Sequence, residues 1–87
     1  MYEVEITPEG LRHLNRLPEK VREAALAAIL RPIADNPQRP GKQLLGELEG
    51  LHSARRGDYR IIYEIFEDEE VILIHRVRHR RDAYRPR

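Results

Sequence analysis

Ser53-Ala54-Arg55-Arg56-Gly57-Asp58-Tyr59-Arg60-Ile61-Ile62-Tyr63-Glu64-Ile65 is the stretch that decides the fold. Two extended runs meet at Gly57-Asp58. Gly accepts positive φ and Asp bonds its own backbone, so the pair suits a tight turn between antiparallel strands. After the turn the residues alternate. Tyr59, Ile61, Tyr63 and Ile65 share one face of a strand; Arg60, Ile62, Glu64 and Phe66 share the other. Arg60 is the odd residue on its face, a permanent cation beside Ile62 and Phe66. Such a group needs an anion, a carboxylate or a water-filled cleft beside it.

Outward from this hairpin, Val71 to Arg78 reads as a further strand, with Val71, Leu73, His75 and Val77 on one face and Ile72, Ile74, Arg76 and Arg78 on the other. Glu67-Asp68-Glu69-Glu70 reads as a solvated hairpin tip. Upstream, Leu51 to Arg56 is the second strand, and Tyr2-Glu3-Val4-Glu5-Ile6 alternates as a first. Thr7-Pro8 signals a helix start, with Thr as N-cap and Pro at the first helical position; Leu11, Leu14 and Leu17 hold its apolar face, and Gly10 weakens it. Pro18 opens a second helix carrying Val21, Ala25, Ala28, Ile29 and Ile33 at helical spacing, interrupted at Pro32 by a kink or restart and ended by Asn36-Pro37. Residues 36–50 hold Pro37, Pro40, Gly41, Gly46 and Gly50. They read as a loop with a turn around Lys42–Leu45, pinned by Leu44, Leu45 and Leu48. The order is β-α-α-β-β-β, an α+β domain spanning 1–87. A mostly antiparallel four-stranded sheet has a two-helix hairpin packed on one face. The other face is concave, less covered, and carries Arg60 and the residues around Arg78–Tyr84.

Eighty-seven residues without cysteine exclude disulfides and thiolate metal sites. No run approaches a membrane span and no signal-peptide pattern opens the chain, so a soluble cytoplasmic protein is expected. The net charge is +1, yet residues 75–87 hold six Arg against one acid, Asp82. Fourteen of the sixteen basic residues are Arg. That is the group suited to bidentate phosphate contact and base stacking, although an Arg-rich codon bias gives the same count. Four His with no acidic or Cys partner at ligand spacing do not make a metal site, and no cofactor is expected.

The element order, the Gly-Asp-Tyr-Arg-Ile-Ile-Tyr run at 57–63, the Leu44–Leu51 segment and the ending Arg76-Val77-Arg78-His79-Arg80-Arg81-Asp82-Ala83-Tyr84 resemble the RelE/ParE toxin superfamily over nearly the whole chain. Residues 53–57 look closest to RelE-type toxins of actinobacterial type. The resemblance implies the toxin of a type II toxin-antitoxin system, with the first strand beside the fourth. It implies a ribosome-dependent mRNA endonuclease that cleaves A-site codons by attack of the 2′-hydroxyl. Its partners would be a cognate antitoxin, the ribosome and mRNA, with operator DNA reached only through the antitoxin.

Metal-free cleavage of this kind needs a base at the 2′-hydroxyl, cations on the transition-state phosphate and an acid for the leaving oxygen. By resemblance, Arg60 clamps the phosphate; its structural alternative is an ion pair with Glu64 or with a neighbouring strand. Arg80 is the second phosphate arginine, with Arg78 as rival. Tyr84 stacks on a base or bonds the 2′-hydroxyl, or else tacks down the tail. His79 has the chemistry for proton transfer at neutral pH, or is structural. Arg55, Arg56, Arg78 and Arg81 are RNA-backbone contacts. His75 reads as a satisfied, partly buried histidine, His52 as packing, and His13 has no functional case. One departure matters: relatives carry two lysines on the second strand where this chain has Leu51 and Ser53. The lysine-based general base is therefore missing. Two other functions stay open, a ParE-like gyrase inhibitor and an inactive corepressor that only binds antitoxin.

Overall fold

The computed structural model describes residues 2–38, 41–43 and 50–79, with the backbone alone at 41–43 and at His79. The chain runs β1 (Glu3–Ile6), α1 (Pro8–Arg16), α2 (Glu19–Ala28), a π-helical turn (Ile29–Ile33), β2 (Gly41–Gln43), β3 (Leu51–Arg56), β4 (Tyr59–Phe66) and β5 (Val71–His79). The strands form one sheet in the order β1-β5-β4-β3-β2. Its pairings are antiparallel except β1 with β5, which is parallel. The architecture is α+β, and all four expected strands are present. A short fifth strand lies where a turn around Lys42 was expected: Gly41, Lys42 and Gln43 pair with Ala54, Ser53 and His52, covering an edge of β3 that would otherwise be bare. Leu44, Leu45 and Leu48 lie outside the described residues. Among the described residues no helix is long and apolar enough to cross a membrane.

The core forms where the helices meet one sheet face. Ala54, Ile61, Tyr63, Ile72, Ile74 and Val77 pack there against Leu14, Ala25, Ala28, Ile29 and Ile33. Pro32 explains the π-helical turn. Proline lacks an N–H, and its ring would strike the carbonyl four residues back. Widening the turn makes room for it while Ile29 and Ile33 both stay fully buried.

Thr7 caps α1 as expected, accepting from the Gly10 N–H at 3.0 Å, and its hydroxyl donates to the His75 carbonyl at 3.2 Å. The buried stripe of α1 differs from the expected one. Leu14 is buried but Leu11 is half exposed, and Gly10 takes the inward place. The reason is proximity. A Cβ on Gly10 would lie 2.8 Å from the Ile74 carbonyl oxygen, so α1 sits closer to β5 than any side chain there would permit.

Tyr63 joins the sheet to the segment after α2. Its buried hydroxyl donates to the Pro37 carbonyl at 2.6 Å, and His52 stacks on its ring. Burial raises its pKa to about 12, so the hydroxyl remains a donor at neutral pH. Tyr63→Phe leaves that carbonyl without its donor. It should cost about 1–3 kcal/mol in urea unfolding, with the secondary structure unchanged by circular dichroism.

Candidate nucleic-acid interface

Strand register assembles the site on the sheet face away from the core. Arg60 on β4 sits opposite Arg55 on β3 and opposite Arg78 on β5. Three guanidinium groups therefore cross the sheet in one row. Like charges directly opposite on neighbouring strands are unfavourable, so this row works against the stability of the sheet. Among the described residues, none of the three has an acidic partner within ion-pair distance. Among the described residues the structural ion pair expected as the alternative for Arg60 does not form; Glu64 lies four residues along the same strand and bonds His75.

The alternation read for the last strand is corrected by a β-bulge. Ile62 pairs with Arg76, but Tyr63 pairs with Ile74, which leaves His75 as an extra residue on β5. Side-chain direction changes there. Ile72 and Ile74 face the core before the bulge, and Val77 faces it after. Arg76 and Arg78 thus leave the face of Ile72 and Ile74 and join the outer one. Arg76 reaches α1, with its Nε 3.6 Å from Glu9 Oε1. Arg78 stays beside Arg60.

The other candidates fall differently. Arg56 is exposed at the turn and pairs with Tyr59, one residue off the row and on the alternate face. The His79 backbone pairs with Tyr59 at the end of β5. Arg80, Arg81 and Tyr84 lie outside the described residues. His52 packs, as expected, and His75 Nε2 is bonded to Glu64 Oε1.

Sequence reading missed the contribution of α1. Glu9, Arg12, His13 and Arg16 join Arg78 around a pocket of about 260 Å³. The available signal was spacing, since Glu9 with His13 and Arg12 with Arg16 are each four apart on one helix. His13 Nδ1 accepts the Val77 N–H at 3.2 Å, tying the helix to β5 beyond the end of β1. Burial lowers its pKa from the usual 6.5; the Glu9 carboxylate opposes this, and Arg78, Arg16 and Arg76 reinforce it. Protonation at Nδ1 would also break the bond from Val77. The unfolded chain, with the higher pKa, takes up its proton first as the pH falls. The His13 contribution is therefore intact above pH 6.5 and declines below it, down to the folded-state value. In urea unfolding at pH 7.5 and pH 5.5, wild type should lose more stability on acidification than His13→Gln, which removes the titrating group.

The comparisons with known proteins agree with this architecture. Residues 4–84 match the family described as ParE toxin of type II toxin-antitoxin system. The chain is 45% identical over 84 residues to Toxin RelE of Mycobacterium tuberculosis, covering 97% of this chain and 87% of that protein. It is 39% identical to Toxin RelG of the same organism, covering 97% of each. Among solved structures, the toxin-antitoxin complex RelBE2 from Mycobacterium tuberculosis superposes with a TM-score of 0.88 at 38% identity, over 91% of this chain and 98% of that one. The intact RelBE complex of E. coli shares the fold, with a TM-score of 0.73 at 16% identity over 88% and 94% of the two chains. The chain belongs to the RelE/ParE family and is a toxin of the type II toxin-antitoxin class.

Proposed function

We propose that this toxin cleaves messenger RNA on the ribosome and is held inactive by a cognate antitoxin. The observation that carries the reading is the row Arg55, Arg60 and Arg78, assembled by register on one face without acidic partners among the described residues. A sheet gains nothing in stability from three opposed cations. A ligand with closely spaced negative charges, such as an RNA backbone, reverses the sign of that interaction. Arg60 and Arg78 are opposite one another and form the phosphate clamp. Register supports Arg78 as a partner of Arg60; Arg80 lies outside the described residues. Arg80, Arg81 and Tyr84 come after β5 in the sequence, and their match to the family pattern implies phosphate contacts and a stacking ring.

Cleavage then proceeds by attack of the 2′-hydroxyl oxygen on the adjacent phosphorus. The clamp neutralises the charge that builds on the phosphoryl oxygens. The antitoxin partner is supported by the RelBE2 relative, whose solved structure is a toxin-antitoxin complex. Its segment would meet the arginine row with carboxylates, the other anion that fits a guanidinium fork.

The test is primer extension on a defined message in a reconstituted translation system. Discrete stops on ribosome-bound message, absent from free message, are the expected result; an intact message overturns the reading. The match to the ParE description favours a second reading, inhibition of gyrase without RNA cleavage. A supercoiling assay with the same preparation separates the two. A toxin inactive in both assays, yet still binding antitoxin, would be the corepressor.

A further inference from the structure

The β-bulge on β5 brings Arg76 and Arg78 to the face that His75 occupies. Glu64 lies on the outer face of β4, and His75 is aimed at it: Nε2 and Glu64 Oε1 are 3.0 Å apart. Both side chains are about one-third exposed, so the pair is open to solvent. A carboxylate only accepts, so the hydrogen of the neutral ring sits on Nε2 and donates to Glu64. The lone pair is then on Nδ1, and among the described residues Nδ1 has no hydrogen-bond partner. Bulges re-aim single side chains next to functional sites. Without this one, His75 would alternate in step with Leu73 and Val77, and the Val77 side chain would leave the core.

The arginine row cannot supply a base, because a guanidinium does not give up its proton in this pH range. Of the three imidazoles whose side chains are described, His13 has Nδ1 occupied by the Val77 N–H and His52 is stacked on Tyr63. His75 alone combines exposure, a fixed tautomer and a free lone pair. It lies three residues before Arg78, about 10 Å along the strand, with Ile62 and Arg76 paired between.

We propose that His75, held by Glu64, is the base that accepts the proton of the attacking ribose 2′-hydroxyl; this rests on the nuclease function proposed above. The 2′-hydroxyl proton passes to His75 Nδ1 as the 2′-oxygen bonds to phosphorus. The bond from phosphorus to the 5′-oxygen breaks, and water protonates that oxygen. The products are a 2′,3′-cyclic phosphate and a 5′-hydroxyl, and the imidazolium returns its proton to the hydroxide left by that water. Glu64 does not touch the substrate. It is a positioning residue that fixes the tautomer and stabilises the imidazolium.

The experiment measures single-turnover cleavage of ribosome-bound message at saturating toxin. It compares wild type, His75→Gln, His79→Gln and Glu64→Gln, each first shown to be folded by thermal melt. His75→Gln should slow cleavage by about 10²–10⁴-fold without weakening association with the message-loaded ribosome. Glu64→Gln should slow it less and leave the half-saturating toxin concentration unchanged. In ¹H–¹⁵N spectra of the free toxin, it should also shift His75 from the Nε2–H tautomer towards a mixture. Cleavage at the wild-type rate by His75→Gln, or a large loss confined to His79→Gln, overturns the assignment and leaves the nuclease function standing. If His75→Gln does not fold, the near-isosteric Glu64→Gln decides: an unchanged rate with an unchanged tautomer overturns the pair. A wild type that leaves ribosome-bound message intact overturns the nuclease function and this base with it.

Discussion

Arg60→Ala should lower the rate of message cleavage by about 10²–10³-fold, and the double change Arg60→Ala with Arg78→Ala by at least about 10³-fold. In the proposed mechanism each arginine acts where negative charge accumulates, in a position set before the substrate arrives. Primer extension at fixed toxin and ribosome concentrations gives both numbers. The same variants carry an internal control. Arg60 is flanked by Arg55 and Arg78 across the strands, so removing it relieves repulsion. Its melting temperature should be unchanged or raised. A structural arginine would behave in the opposite way, losing stability and activity together. Arg60→Lys keeps the charge but not the fork, and should fall between wild type and alanine. Cleavage at the wild-type rate by Arg60→Ala would remove the phosphate clamp from the proposed mechanism.

Gly10→Ala should destabilise the protein even though it replaces glycine in the middle of a helix. Helix propensity alone favours the change by about 1 kcal/mol. Against this, the new Cβ lies 2.8 Å from the Ile74 carbonyl oxygen, 3.1 Å from Ile6 Cγ2 and 3.3 Å from the His75 carbonyl oxygen. Two of these are backbone atoms of β5 and cannot swing aside. Overpacking of this kind costs about 1–3 kcal/mol, and Gly10→Val should cost more than 3 kcal/mol because its branched carbon stiffens the contact. Total stability for a chain of this length is about 4–13 kcal/mol, so the valine variant takes a large share of it. Urea unfolding measures both. Displacing α1 also moves His13, Arg12 and Arg16 relative to Arg78, so cleavage should fall more than the folded fraction does.

Much of the fold was legible because local chemistry and long-range pattern agree. Gly57-Asp58 marks a turn, and Tyr59–Phe66 forms β4 with Ile61 and Tyr63 on the core face, although Ile62 on the outer face is buried too. Thr7-Pro8 caps a helix where the rules for helix ends place one. Failures came where tertiary contact overrides local pattern. Leu11 is the larger apolar residue, yet Gly10 faces the sheet, because the distance between α1 and β5 is set by Thr7 bonding the Ile74 and His75 carbonyls. The bulge at His75 has no signature in an alternating run of Ile, Leu and Val, so the faces of Arg76, Arg78 and Val77 were misread. The arginine row shows the same limit. Arg55, Arg60 and Arg78 could each be named from the sequence, but only the register shows them side by side. His13 was passed over because its partner, the Val77 amide, lies 64 residues away.

The parallel pairing of β1 with β5 bears on how the protein is made. Glu3 pairs with Val71 and Ile6 with Ile74, a separation of 68 residues. Synthesis runs from the N-terminus, so Glu3–Ile6 leaves the ribosome before Val71–Ile74 and waits for it while the intervening residues follow. Contacts that close such long loops form late. Arg78 emerges after Arg55 and Arg60. Until β5 has been made, the nascent chain lacks the sheet that brings Arg55, Arg60 and Arg78 together. The row of three arginines is therefore assembled in one step, when β5 joins the sheet.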